Sequence, residues 1–144
     1  MIILLSLYLD GLIASLNIDY LVPLLTLTSI IFIKNNISDI KYYYLSFLIG
    51  LLYDLLFTNV VLFHSIIFLN ISFIVKHIKI KDNLLNNIIL TISVIIIYRI
   101  IMFLLYLLLS INMNLLFSIL NYLIINIVFV IIFYPLKKMN KNKI

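Results

Sequence analysis

The stretch ILTISVIIIYRIIMFLLYLLL, residues 89–109, is apolar on every side of a regular backbone and carries one charge, Arg99. A surface helix confines its apolar residues to one stripe, and a half-buried strand alternates them with polar ones. A helix apolar all round has to be enclosed by a large core or by lipid. The chain has 144 residues, and a domain of that size leaves too much area exposed to hide such segments by itself. The remainder is built alike, with 66% hydrophobic residues, 10% charged and a mean hydropathy of +1.31. Soluble domains run at roughly 45–50% apolar and about 25% charged. These figures exclude a soluble enzyme, a nucleic-acid binder and a disordered tail. They imply an all-α integral membrane protein, because a β-barrel would need an alternation that the runs lack.

A bilayer-crossing helix takes about 20 mostly apolar residues, within a range of roughly 17–25. Six segments are read as spans: residues 2–16, 20–33, 42–57, 60–75, 84–109 and 115–136. The expected architecture is a bundle of six transmembrane helices forming one domain over residues 1–136, with a basic cytoplasmic tail at 137–144. The first four spans are short, so they tilt little, borrow interfacial residues or include a partly re-entrant piece. Segment 2–16 is read as a retained span. No basic residue precedes it, no A-x-A site follows it, and Asp10 sits in its middle. No internal repeat stands out.

The net charge of +5 lies where a membrane protein places it. Lys34 and Lys41 flank the second gap, Lys76, Lys79 and Lys81 fill the fourth, and Lys137, Lys138, Lys141 and Lys143 form the tail. The first, third and fifth gaps hold no Lys or Arg. With six spans, every loop lysine faces one side, so both termini are expected in the cytoplasm, against anionic membrane lipid. Nucleic acid is not an expected partner. The Tyr42–Tyr44 triplet fits an aromatic belt at that interface, and Asp39, Lys41 and Asp82 read as ordinary loop charges.

Ionisable residues inside spans are the functional pointers, since a central Asp or Arg costs roughly 2.5–3.5 kcal/mol on insertion scales. Asp54 and Arg99 reach similar depth, each about 20 Å from the cytoplasmic start of its span. They are expected to form an ion pair, with Asp10 as the competing partner of Arg99. His64 and Asn121 come to similar levels from the external side. Ser46, Gly50 and Asp54 share a helix face, as do Ser6, Asp10, Ala14 and Asn17, and Ser118, Tyr122 and Asn126. Such polar and small stripes chiefly hold helices together; lining a partner-binding surface or ligand cavity is the sharper alternative. There is no cysteine and no Glu, with two His, so neither a metal centre nor a cofactor is expected. No P-loop, HExxH or GxSxG is present. The chain is not expected to be an enzyme.

The stretch YYYLSFLIGLLYDLLFTNVVLFHSIIFLNISFIVKHIK resembles the central region of the rod shape-determining protein MreD family. That family carries a Gly-x-x-x-Asp-Leu pattern on one span, a tight external turn, and an apolar span that opens near a His or Asn and ends at basic residues. Gly50, Asp54 and Leu55 match the first part, His64 the second, and Lys76, Lys79 and Lys81 the third. The last span, with Asn126 and the Pro135–Lys138 exit, is similar to the family's last helix. The external turn departs from the family, with Thr58, Asn59, Val60 and Val61 where Gly and Pro are common, and Arg99 is no family hallmark. The resemblance implies a non-enzymatic component of the bacterial cell-elongation machinery in the cytoplasmic (inner) membrane. It implies binding to MreC and action with MreB, RodA and a class B penicillin-binding transpeptidase in lateral peptidoglycan synthesis. It also implies a fold related to the S components of energy-coupling-factor transporters, and so an alternative function in binding a small vitamin-like ligand for transport.

Overall fold

The computed structural model describes residues 1–15, 24–57, 62–78, 81–108 and 115–141. Among these, all regular structure is helical: α1 (Ile2–Ser15), α2 (Leu25–Ile33), α3 (Asp39–Phe57), α4 (Phe63–His77), α5 (Leu84–Leu108) and α6 (Leu115–Lys141). The all-α expectation holds. The closest neighbours in space are successive helices, so the chain is three hairpins, α1–α2, α3–α4 and α5–α6.

The hairpins repeat a feature that sequence inspection passes over. The first helix of each carries one inward ionisable residue, Asp10, Asp54 or Arg99. These are 44 (54 − 10) and 45 (99 − 54) residues apart. The shared element is a position rather than a sequence.

Helix α2 is the hub. Apart from its last residue, Ile33, it is buried from Leu25 to Phe32, and it touches all five other helices. Its nine residues cover about 14 Å of the expected span at 20–33, of which residues 20–23 lie outside the described ones. The helix begins at Leu25 because Leu24 adopts a left-handed conformation, φ 55°, that breaks the helical path. Helix α4 likewise begins after a left-handed Leu62, φ 73°. Two stretches, Asp39–Phe57 and Leu84–Leu105, are long and apolar enough to cross a membrane, and Ile2–Ser15 and Phe63–His77 are shorter apolar helices.

The main core is continuous from Leu7 on α1 through Leu27, Ile30 and Ile31 on α2 to Tyr53, Phe68, Ile95, Tyr98 and Tyr122. A second cluster joins Leu25 and Phe32 to Phe129 and Val130 of α6. Small polar side chains share this interior: Ser6, Thr26, Thr28, Ser29, Ser46, Ser65, Ser72 and Thr91 are all buried. The outer surface is apolar, with Leu4, Leu55, Leu56, Ile66, Phe73, Leu104, Leu120 and Ile132 more than half exposed. Polar groups inside and aliphatic groups outside invert the arrangement of a water-soluble domain.

Two expectations at the lysine-rich end change. Helix α6 runs through Pro135 to Lys141, so residues 137–141 of the expected tail are helical; residues 142–144 lie outside the described ones. A proline inside a helix removes one hydrogen bond and crowds the carbonyl four residues back, which kinks a helix without having to end it. Tyr42 is fully enclosed rather than part of an aromatic belt, while Tyr44 is exposed. The expected external gaps, at residues 17–19, 58–59 and 110–114, fall outside the described residues.

Candidate functional site

The two buried aspartates do the same task. The first N–H groups of a helix have no intrahelical acceptor, and neither Leu24 nor Leu62 has a side chain able to cap. In an apolar interior no water supplies the missing acceptor. Each aspartate supplies it from the preceding helix. Asp10 Oδ1 accepts from Leu25 N at 3.0 Å, and Oδ2 accepts from Thr26 N at 2.9 Å and Thr26 Oγ1 at 2.6 Å. Asp54 accepts from His64 N at 3.0 and 2.9 Å and from Ser65 N at 3.2 Å. Ser65 Oγ adds a contact at 3.3 Å. The negative charges also face the positive ends of the α2 and α4 dipoles.

Gly50 makes the second junction possible. A Cβ there would stand 2.5 Å from Ser65 Cα, 2.7 Å from His64 O and 2.8 Å from Ser65 N. The backbones of α3 and α4 therefore meet at Gly50, one turn before the carboxylate that caps α4. The structure thus brings three predicted residues, Gly50, Asp54 and His64, into a single contact.

His64 extends that contact across the bundle. Its Nδ1 lies 2.7 Å from Asp54 Oδ1 and its Nε2 lies 3.0 Å from Tyr98 Oη. With Nδ1–H donating to the carboxylate, Nε2 accepts from the Tyr98 hydroxyl. The imidazole ring also lies over Tyr98 (centroids 6.1 Å, 27°) and against Tyr53 at 4.8 Å. An Asp54–His64–Tyr98 chain so arranged fixes rotamers across α3, α4 and α5.

Arg99 stands apart from both aspartates, which corrects the expected ion pair. Among the described residues, the ion pairs are His64–Asp54 and Lys76–Asp39. The physical reason is local: two adjacent N–H groups and a hydroxyl already converge on each carboxylate, at shorter range than an arginine arriving from α5. The Arg99 guanidinium instead lies 3.6 Å above the centroid of the Tyr122 ring. Its Nε is enclosed without a hydrogen-bond partner.

Asn126 behaves as a structural tie. Its Oδ1 accepts from Thr28 Oγ1 and its Nδ2 donates to Tyr122 O at 2.8 Å, joining α6 to the middle of α2. Asp10, Asn126 and the Asp54 group are thus separate junctions. The side chains of Asn121 and Ser118, and residue Asn17, lie outside the described ones.

The other end of α2 shows what sequence reading missed. Lys76 Nζ donates to Lys34 O at 2.5 Å and Ile37 O at 2.9 Å, and pairs with Asp39 at 3.1 Å. Lys34 is itself buried, and its Nζ donates to Ile78 O at 3.2 Å. Helix α2 therefore carries an anion at its N-terminus and a cation at its C-terminus, both lent by other helices. Asp82 also ties elements together: its carboxylate accepts from Asn87 Nδ2 at 2.9 Å, and its carbonyl accepts from Tyr134 Oη at 3.2 Å. The legible signal was the density of hydroxyls, with Thr26, Thr28 and Ser29 inside an otherwise apolar run.

Comparison of the chain with protein-family models, with curated proteins and with solved structures finds no match.

Proposed function

We propose that the chain is a multi-pass, non-enzymatic scaffold of the bacterial cytoplasmic membrane, with both termini cytoplasmic, that binds MreC through helix packing. On this proposal it belongs to the cell-elongation machinery with MreB, RodA and a class B penicillin-binding transpeptidase. One observation carries it. Three of the residues on which the resemblance to the MreD family rests, Gly50, Asp54 and His64, meet at a single helix–helix junction. A motif with a joint structural task is better support than the same letters scattered over a surface. Membrane residence is supported by the aliphatic exterior and polar interior and by two helices apolar and long enough to cross.

The mechanism follows from rigidity. Carboxylates capping helices from neighbouring helices fix the bundle's shape, so a partner helix meets a preformed apolar face and loses little entropy in sorting conformers. The test is co-purification of MreC with a tagged chain from bacterial membranes. Asp54→Leu is expected to reduce capture far more than Asp39→Leu, whose carboxylate is exposed and pairs with Lys76. Equal capture by the two variants refutes the proposal. A tag after residue 144 labelled by an impermeant reagent in intact cells refutes the orientation.

A further inference from the structure

We infer that Arg99 is a receptor for a carboxylate that a second transmembrane helix carries into the middle of the bilayer. This rests on the membrane-embedded, partner-binding reading given above and names what the partner must bring. The starting point is an imbalance. Arg99 is only 6% exposed and its Nε has no partner among the described residues, yet a guanidinium does not shed its charge inside a protein. Buried cations in lipid are paired with an anion or line a functional path.

The chain's described acids are all committed elsewhere. Asp10 holds the start of α2, and Asp54 holds the start of α4 together with His64. Asp39 pairs with Lys76 and Asp82 binds Asn87 at the lysine-rich end. The fifth acid, Asp19, lies outside the described residues and is addressed by the experiment. In the first two hairpins the inward charge is an anion satisfied by helix N–H groups of the same hairpin. In the third it is a cation, and no helix N-terminus can satisfy it.

Geometry narrows the chemistry. Tyr122 covers one face of the guanidinium at 3.6 Å, and the enclosed Nε lies on its N–H edge. That edge matches the two oxygens of a carboxylate or phosphate. Depth separates these two. Arg99 is 15 residues from Leu84 and nine from Leu108, about 22 Å and about 14 Å along the helix. It therefore lies within roughly 4 Å of the midpoint of α5, whereas lipid phosphates lie beyond a hydrocarbon core about 30 Å thick. A carboxylate reaches that depth on a helix. Ile96, Ile100 and Leu104 are exposed along α5 beside Arg99, an apolar strip on which such a helix can lie.

The experiment reconstitutes the full chain in phosphatidylcholine vesicles with a synthetic, dye-labelled Leu/Ala helix of about 21 residues, carrying one central Glu or one central Gln. Energy transfer reports association. The Glu helix is expected to bind about tenfold more tightly than the Gln helix, the size of a strong interhelical hydrogen bond in bilayers. Arg99→Met is expected to erase that difference; Arg99→Gln serves the same purpose if the methionine variant does not fold. No Glu preference in the wild type overturns the inference, as does a preference that survives loss of Arg99. A preference that emerges only in Asp19→Asn overturns it by making Asp19 the occupant. Benzoate that raises the unfolding midpoint of the wild type but not of Arg99→Met overturns it in favour of a soluble acid. The synthetic helix is not MreC, so failure here leaves the MreC capture result standing.

Discussion

Gly50→Ala is the sharpest single perturbation, because its cost follows from distances. The added methyl would sit 2.5–2.8 Å from Ser65 Cα, His64 O and Ser65 N, whereas unstrained carbon contacts fall near 3.5–4.0 Å. All three obstacles are backbone, so α3 and α4 must separate by about 1 Å. Overpacking of this kind costs roughly 1–3 kcal/mol. The same separation stretches the Asp54 bonds to His64 N and Ser65 N, now 2.9–3.2 Å, beyond hydrogen-bonding range. Each buried N–H left unmet adds about 1–3 kcal/mol. A total destabilisation of about 3–9 kcal/mol is expected. Gly11→Ala is the matched control: its Cβ would lie 3.3 Å from Cε1 of the Phe57 ring, a side chain able to swing aside. Gly11→Ala also removes a helix-interior glycine, worth roughly 0.8–1.0 kcal/mol in propensity. The assay is unfolding of the purified chain by titration of SDS into detergent micelles, followed by circular dichroism. If Gly50→Ala falls within about 0.5 kcal/mol of Gly11→Ala, a gap small against the overpacking term, close α3–α4 contact is not what holds the junction.

Three further outcomes follow from the capped helices. Asp10→Asn keeps one acceptor but turns an amide N–H toward donors, so amide exchange at Leu25 and Thr26 should quicken by about tenfold, or roughly 1.4 kcal/mol; unchanged protection would contradict the cap. Lys76→Met should lower stability by about 1–3 kcal/mol, while Lys41→Met, at an exposed position, should be near neutral; equal effects in the SDS titration would remove Lys76 from the α2 C-terminus. Thr28→Val and Asn126→Leu should be coupled by roughly 0.6–1.7 kcal/mol in a double-mutant cycle, and strict additivity would deny the tie between α2 and α6.

Which parts of this molecule are legible in its sequence depends on the range of the interaction. Six apolar runs give six helices, and α5 begins at Leu84 as expected because Asn83 accepts from Asn86 N at 2.8 Å there. Gly50, Asp54 and His64 fall together because few residues separate their helices in the sequence. The partners of Asp10, Lys76 and Asn126 are not legible, since each reaches a helix whose position depends on the whole bundle. The expected Asp54–Arg99 pair failed for a specific reason. Depth and opposite sign favour the pair, whereas helix N–H groups, invisible in a hydropathy profile, compete for the same carboxylates. The start of α2 was also hidden, because Leu24 leaves the helical path inside an unbroken apolar run.

The loaned charges at the two ends of α2 have a consequence for biosynthesis. Its anion comes from residue 10, already made when α2 emerges, but its cation comes from residue 76, more than forty residues downstream of Ile33. A helix of nine residues is too short to persist by itself. The central element of the bundle therefore has to wait, incompletely stabilised, until the second hairpin has been synthesised and has turned back against it. The innermost piece of the finished molecule is settled after its surroundings, and a chain halted before residue 76 should leave the translocating machinery with its hub unformed.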